Sequence, residues 1–224
     1  GIDPMLKVVT SDGRVLMLQR AATDARVMNS GNTITYLDLF PDASNSYQVG
    51  PNQIKNNLIL TSLPDGVPVE GAFLTYSEVV QLPAGWSLSS GVSDENREVL
   101  LKGGLFILNE REQEVFSIPV PDVFELNNPS MGVHNDGNWE HTYKVRFLGQ
   151  DKYEVSTMVP VEWLSDPSRN YPVVIDPTVT LAGNYGGWLN TGENYQYGNP
   201  FTFVFAGLNT NGFTYNCYIR FDVN

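Results

Sequence analysis

The sequence of 224 residues predicts an all-β protein built from antiparallel sheets packed as a β-sandwich. Gly (20) and Pro (14) interrupt the chain throughout, and aromatic residues make up 12% of it. No window of a dozen residues keeps a helical period of apolar positions. With 42% apolar residues, the chain can bury one sizeable core, or one core and a fragment of another. We therefore expect one complete sandwich followed by a partial one.

The first half of the chain has the pattern of successive hairpins. Asp12 and Gly13 form the centre of a hairpin turn over residues 11–14. In residues 54–61 the alternation of apolar and polar side chains fails at Asn56 and Asn57, where a β-bulge would restore it. The strands predicted in this half span residues 5–10, 15–19, 33–39, 46–49, 54–61, 72–80, 85–90, 105–108 and 115–118.

The clearest hairpin spans residues 142–159. Its two strands alternate well and meet at a polar turn over residues 149–152. Lys144 and Arg146 face Glu154 on the polar side, and opposite charges of this kind suit an exposed face. A single helical turn is expected over residues 160–164.

Residues 171–179 end the first module. Their apolar, β-branched run lies between Pro172 and Pro177, and each proline fixes φ and removes a backbone donor. This predicts one buried strand that is closed at both ends. Beyond Pro177 the charge nearly vanishes, and Gly, Asn and aromatic residues dominate.

That change of composition suggests a division of the chain. Residues 6–177 are predicted to form the β-sandwich module, and residues 178–224 a second, partial sandwich of jelly-roll-like type. Residues 178–181, 201–205 and 215–223 are its predicted strands. Residues 1–5 have the composition of a remnant of cloning and protease cleavage. The chain is therefore expected to come from a longer protein.

The formal net charge of −12 disfavours nucleic acid and anionic membranes as partners. It suits a soluble extracellular or cell-surface protein. No apolar run reaches the ~18 residues that membrane insertion requires. The lone Cys217 excludes an internal disulfide framework. We interpret it as a small buried hydrophobe, because a catalytic thiol would need a histidine partner close to it.

Several segments resemble a pattern found in large secreted bacterial proteins, in regions ahead of RHS/YD repeats. Residues 35–42 read Thr-Tyr-Leu-Asp-Leu-Phe-Pro-Asp, and Tyr47 and residues 54–60 follow them. Asn56 and Asn57 replace the acidic pair that is usual in that pattern. Residues 44–46, Ser-Asn-Ser, replace its aspartate and hydrophobic neighbour.

The end of the same region matches more closely. Trp163 and Leu164 are followed by residues 171–178, which read Tyr-Pro-Val-Val-Ile-Asp-Pro-Thr. Residues 218–222 then resemble a strand of the DNRLRE-type β-sandwich. The resemblance implies an extracellular, β-rich and non-catalytic module of a multidomain surface protein. It carries over no catalytic residue.

The loop over residues 134–141 is the densest polar cluster. His134 and His141 could bind a transition metal. The alternative is an Asx-rich turn in which Asp136 and Gly137 supply the bend and Trp139 packs inward. No other cofactor is expected. The residues that could offer oxygens to calcium are Asn135, Asp136, Asn138 and Glu140.

The aromatic loops after residue 177 could form a carbohydrate surface. Aromatic faces stack on sugars while neighbouring asparagines hydrogen-bond to them, although the same residues could equally fill a small core. The candidate sugar-binding residues are Tyr185, Trp188, Tyr195 and Tyr197.

Paired carboxylates would indicate a glycosidase. Glu110, Glu112 and Glu114 lie in or beside a predicted hairpin turn, where solvated charges are ordinary. Glu162 beside Trp163 is the most notable candidate acid, although Trp163 could simply pack against the strand that begins at Tyr171. Phosphate loops, G-X-S-X-G elbows and CxxC pairs do not occur in the sequence.

The sequence thus favours a non-enzymatic structural, adhesion or assembly module of a secreted bacterial protein. A carbohydrate-binding module is the first alternative, and a glycoside-active enzyme fragment is the second. The expected partners are other domains of the same chain, a surface protein or a glycan. Exposed sheet edges could also pair between copies of the chain.

Overall fold

The computed structural model describes residues 2–68, 70–95, 97–128 and 142–181, and the short segments 189–190, 207–208 and 214–216. Every described strand pairing is antiparallel, so the predicted all-β class is confirmed. The jelly-roll-like character of the second module stays a prediction.

The described strands before residue 129 are β1 (Ile2–Thr10), β2 (Val15–Arg20), β3 (Arg26–Ser30), β4 (Thr33–Phe40), β5 (Ala43–Val49), β6 (Gln53–Leu60), β7 (Ala72–Gln81), β8 (Ser87–Leu88), β9 (Glu98–Leu101), β10 (Leu105–Leu108), β11 (Glu114–Ile118) and β12 (Asp122–Glu125). The later elements are β13 (Tyr143–Gly149), β14 (Lys152–Pro160), α1 (Val161–Leu164), β15 (Val173–Asp176), β16 (Val179–Leu181), β17 (Leu189–Asn190), β18 (Gly207–Leu208) and β19 (Thr214–Asn216).

Two large sheets are formed. The first has the order β2-β1-β7-β14-β13-β9. The second runs β3-β4-β5-β6-β16-β11-β10-β8, and β15 joins it by pairing with both β6 and β12. A small third sheet has the order β17-β19-β18. The central pairs of the first sheet join residues far apart in sequence, so its order could not be predicted from local pattern.

The two large sheets pack face to face over an apolar core. One cluster joins Leu6 and Leu74 of the first sheet to Phe40, Leu58 and Val173 of the second. A further cluster holds the other end of the sandwich together, and its buried members are Leu82, Leu88, Leu105, Ile107, Ile118, Tyr143, Val145 and Tyr153. Contacts of this kind between facing sheets define a β-sandwich.

The strand predicted between Pro172 and Pro177 is confirmed as β15. All four of its residues are buried, as expected for a strand in the middle of a sheet with apolar side chains on both faces. Its pairing with β6 brings Val173 opposite Leu60 and Ile175 opposite Leu58.

The hairpin over residues 142–159 is confirmed as β13 and β14, but its charged face is not exposed. Glu154 retains only 4% of its surface, because Lys7 and Arg146 both bind its carboxylate. The sequence pattern did not predict the second partner, Lys7. It lies on β1, which is separated from β14 by β7.

The bulge predicted at Asn56 and Asn57 is absent from the β5–β6 pairing. Ser46 lies opposite Asn57 and Tyr47 opposite Asn56, in unbroken register. The strand instead places the Asn56 amide between the sheets, where it finds a hydrogen-bond acceptor.

β16 lies just beyond the predicted module boundary at residue 177. It pairs with β6 and with β11, both in the second sheet. Residues beyond 181 are described only as three short strands, and the division into modules stays a prediction.

Candidate functional site

Five polar side chains meet between the two large sheets. Asn45 and Tyr47 come from β5, Asn56 from β6, and Tyr76 and Glu78 from β7. Residues two apart on a strand share a face, so each strand directs its members toward the opposite sheet. We call these five residues the polar layer.

The polar layer is hydrogen-bonded from sheet to sheet. Asn45 Nδ2 donates to Tyr76 Oη at 2.7 Å and to Tyr47 Oη at 3.1 Å. Tyr47 Oη donates to Glu78 Oε1 at 2.7 Å, and Asn56 Nδ2 donates to Glu78 Oε2 at 2.7 Å. Both carboxylate oxygens of Glu78 therefore accept a bond from the facing sheet.

Burial raises the pKa of Tyr47 and of Tyr76, and the negative charge of Glu78 raises both further. Both phenols thus keep their protons at any ordinary pH and remain hydrogen-bond donors. The Oδ1 atoms of Asn45 and Asn56 are buried and find no hydrogen-bond partner among the described residues. A buried acceptor without a partner costs about 1–3 kcal/mol, so the layer is not optimised for stability.

The polar layer separates the two apolar clusters of the core. Along β7, Leu74 and Tyr76 belong to one cluster, whereas Val80 and Leu82, which follows the strand, pack in the other. Glu78 lies between them on the same face of the strand.

A cavity of about 370 Å³ lies beside the polar layer, at one open side of the sandwich. Tyr47 belongs to both the cavity wall and the layer. The rings of Tyr36 and Tyr47 meet edge to face, with centroids 6.1 Å apart and planes at 88°. We call this cavity the edge pocket; it is lined by Pro4, Ala21, Ala22, Thr23, Ala25, Val27, Tyr36, Leu39 and Tyr47.

Glu125 is the most deeply buried carboxylate among the described residues. Arg169 Nη1 and the backbone amide of Asn170 donate to Glu125 Oε1 at 3.2 and 3.1 Å, and Asn170 Nδ2 donates to Glu125 Oε2 at 3.3 Å. Burial raises the pKa of Glu125, but the hydrogen bonds from Asn170 and the charge of Arg169 outweigh burial and lower the pKa below its ordinary value. The guanidinium of Arg169 also lies 3.7 Å from the ring centroid of Trp163.

The glycosidase candidates are not brought together. Glu162 is exposed on α1, while Trp163 is half-buried beneath Arg169. Glu110, Glu112 and Glu114 are exposed in and beside the β10–β11 turn. Within the described ranges, no three His, Cys, Asp or Glu side chains are grouped to hold a metal ion.

The other predicted site residues lie outside the described residues. They are the calcium candidates Asn135, Asp136, Asn138 and Glu140, the sugar-binding candidates Tyr185, Trp188, Tyr195 and Tyr197, and also His134, His141 and Cys217. The calcium and carbohydrate sites therefore stay predictions, as does the expectation of no other cofactor.

Sequence reasoning missed the polar layer and the edge pocket. The available signal was Asn56, a polar residue at an inward position of an otherwise apolar strand face, where the sequence pattern predicts an irregularity of the backbone.

In the described part of the chain, no helix has the length and apolar character to cross a membrane.

Three curated bacterial proteins align with this chain over 160 residues. They are "tRNA(Glu)-specific nuclease WapA" of Bacillus subtilis subsp. natto (24% identical), "tRNA nuclease WapA" of Bacillus subtilis (23%) and "tRNA3(Ser)-specific nuclease WapA" of Bacillus spizizenii (24%). Each alignment covers 71% of this chain but only 6% of the relative. No protein-family model and no solved structure matches the chain significantly.

These relatives contradict three sequence-based predictions. The non-catalytic structural, adhesion or assembly role is wrong, as is the prediction that the protein is not an enzyme, because all three relatives are named nucleases. The exclusion of nucleic acid is also wrong, because each name specifies tRNA. Net charge misled here because a sum over all residues does not show how charges are distributed on a surface.

Proposed function

We propose that this chain is one section of a large tRNA nuclease. The observation that carries the proposal is the alignment of 71% of the chain with three relatives, each named as a nuclease of tRNA. The chain spans about 6% of the length of those relatives, so the proposal assigns the cleavage activity to the whole protein.

The buried carboxylates of the described section constrain where a general base could lie. A general base must reach the proton that it abstracts and must be free to accept it. Glu125 and Glu154 are each neutralised by bound cations, namely Arg169 for the first and Lys7 with Arg146 for the second. Both act in the fold and are poor candidates for proton abstraction from RNA.

The cellular setting forms part of the proposal. The resemblance of residues 171–178 to large secreted bacterial proteins supports export of the protein from the cell. It also supports neighbouring RHS/YD-type repeats, with residues 178–224 as the start of a DNRLRE-like module.

The test is cleavage of a complete tRNA pool by the full-length protein that contains this chain. Labelled tRNA is incubated with the protein and separated on a denaturing gel, with a Bacillus relative as the positive control. We expect one tRNA species to give discrete fragments. Intact tRNA throughout, under conditions in which the control cleaves its own substrate, would overturn the proposal.

A further inference from the structure

The side-chain amides of Asn45 and Asn56 each have an oxygen to which no described residue donates a hydrogen bond. Asn45 is fully buried, and Asn56 keeps only 5% of its surface. The Oδ1 atom of each is buried and has no partner among the described residues. About 90% or more of buried polar groups in proteins do have a partner. Two exceptions in one layer indicate a donor other than the described side chains.

The orientation of both amides is fixed by the bonds that their nitrogens make. Asn56 Nδ2 donates to Glu78 Oε2 at 2.7 Å, and turning this amide over would place its oxygen against the carboxylate. Asn45 Nδ2 donates to Tyr76 Oη and to Tyr47 Oη. Turning that amide over would replace two donated bonds by one at most, because the Tyr47 hydroxyl gives its hydrogen to Glu78. The unpartnered atoms are therefore the two oxygens.

These two oxygens belong to neighbouring strands and to one face of the second sheet. Asn56 lies opposite Tyr47 in the β5–β6 pairing, and Asn45 precedes Tyr47 by two residues. The two asparagines are thus diagonal neighbours on the face that is turned toward the first sheet. Cβ atoms in such positions lie about 7–8 Å apart or less. The oxygens cannot bond each other, since both are acceptors, but one small donor between them can reach both.

The occupant of this position must be small and must donate two hydrogen bonds. Water meets both conditions, and buried waters in proteins bind about two to four polar groups that otherwise have no partner. A metal ion suits the layer less well, because Glu78 is the one charged residue of the polar layer. Both oxygens of that carboxylate already accept bonds, from Tyr47 and Asn56, and Glu78 itself is half-buried.

We infer that the polar layer binds a water molecule, which donates one hydrogen to Asn45 Oδ1 and the other to Asn56 Oδ1. The water joins β5 to β6 on the inner face of the second sheet. The amide nitrogens then bind the phenols and the carboxylate of the layer, while the amide oxygens bind the water. In this way two asparagines occupy inward positions of the sandwich with their polar atoms satisfied.

A crystal structure of the 224-residue chain, at a resolution that shows ordered water, tests this inference. The electron density should contain one isolated peak about 2.8 Å from each of the two Oδ1 atoms. Crystals soaked in thallium(I) acetate should show no anomalous signal there, because thallium(I) marks sites for monovalent cations. An anomalous peak, a protein donor at either oxygen, or no density between them would each overturn the inference.

Two further measurements use variants and solution conditions. Asn45→Leu removes one acceptor and should abolish the peak. Ser46→Ala is the matched control, because Ser46 lies on the opposite face of β5, and the peak should remain. The parent protein should also unfold at the same urea concentration in sodium, potassium and choline chloride of equal ionic strength. Stabilisation that rises with the concentration of one metal cation would instead show a bound ion and would overturn the inference, even if Asn45→Leu did not fold.

Discussion

Tyr47 and Glu78 join the two sheets of the sandwich through one hydrogen bond, 2.7 Å from Tyr47 Oη to Glu78 Oε1. The same tyrosine forms part of the wall of the edge pocket. The hydrogen bond between Tyr47 and Glu78 thus holds in place the ring that forms part of the pocket wall. The stability of the polar layer and the shape of the pocket are coupled through this residue.

The first prediction concerns that bond. Tyr47→Phe leaves one oxygen of Glu78 without its donor, and we expect a loss of about 1–3 kcal/mol in the free energy of unfolding. Tyr36→Phe is the control, because the Tyr36 hydroxyl makes no described hydrogen bond, and it should cost little. Urea unfolding measures both variants. Equal costs would show that the bond does not stabilise the fold.

Replacing Asn56 and Glu78 together should cost less stability than the two single replacements predict. Asn56→Leu alone removes a donor from half-buried Glu78, and Glu78→Leu alone removes the acceptor of the Asn56 amide. The double variant leaves neither partner behind, so it should be less destabilised than the sum of the single variants. A double-mutant cycle by urea unfolding measures the difference. Strict additivity would contradict a direct interaction.

The loss of stability on replacing a leucine by alanine should follow how deeply the leucine is buried. Leu74 is fully buried between the sheets, and Leu74→Ala should cost about 2–5 kcal/mol because it leaves a cavity. Leu18 is 49% exposed on β2, and Leu18→Ala should change stability by less than about 0.5 kcal/mol. Thermal or urea unfolding compares the two. A small effect of Leu74→Ala would contradict the packing of the sheets described above.

The decrease in the free energy of unfolding at acidic pH should depend on Glu125. Its pKa in the folded protein lies below the ordinary value, since the bonds from Asn170 and the charge of Arg169 outweigh burial. A carboxyl with a lowered pKa contributes stability that is present above its unfolded pKa and is lost as pH falls through the folded one.

The corresponding measurement is urea unfolding at a series of pH values below about 5. In the parent protein, stability should fall across this range, and Glu125→Gln should be less stable at neutral pH and flatter in its pH dependence. Glu162→Gln, at an exposed position, serves as the control and should follow the parent. If the stability of Glu125→Gln depended on pH as steeply as that of the parent, other carboxylates would account for the acid sensitivity and the prediction would be wrong.

Local pattern predicted the elements that depend on local chemistry. The run between Pro172 and Pro177 became the buried strand β15, and the alternation over residues 142–159 became the β13–β14 hairpin. No alternation predicts β3, because all five of its residues are exposed. Such a strand is ordered by its neighbour β4 rather than by its own pattern.

The candidate site depended on contacts that no local pattern contains. Glu78 and Asn56 are 22 residues apart, and Tyr47 reaches Glu78 across 31. Only the packing of one sheet on the other brings them together. Within the first sheet, the order of the strands likewise brings Glu154 to its partner Lys7, which is 147 residues away.

Function was least accessible from the sequence, because the acidic composition indicated an absence of nucleic acid. A net charge summed over all residues does not show where the charges lie on the surface. An RNA substrate is proposed from the alignment with proteins named as tRNA nucleases.

The most direct measurement is the intact fraction of every tRNA species after exposure to the full-length protein, read by sequencing of the tRNA pool. The account predicts that one species, or a few related ones, loses its intact form while the others persist. Survival of every species, in parallel with loss of the expected tRNA in a reaction containing a Bacillus relative, would contradict it.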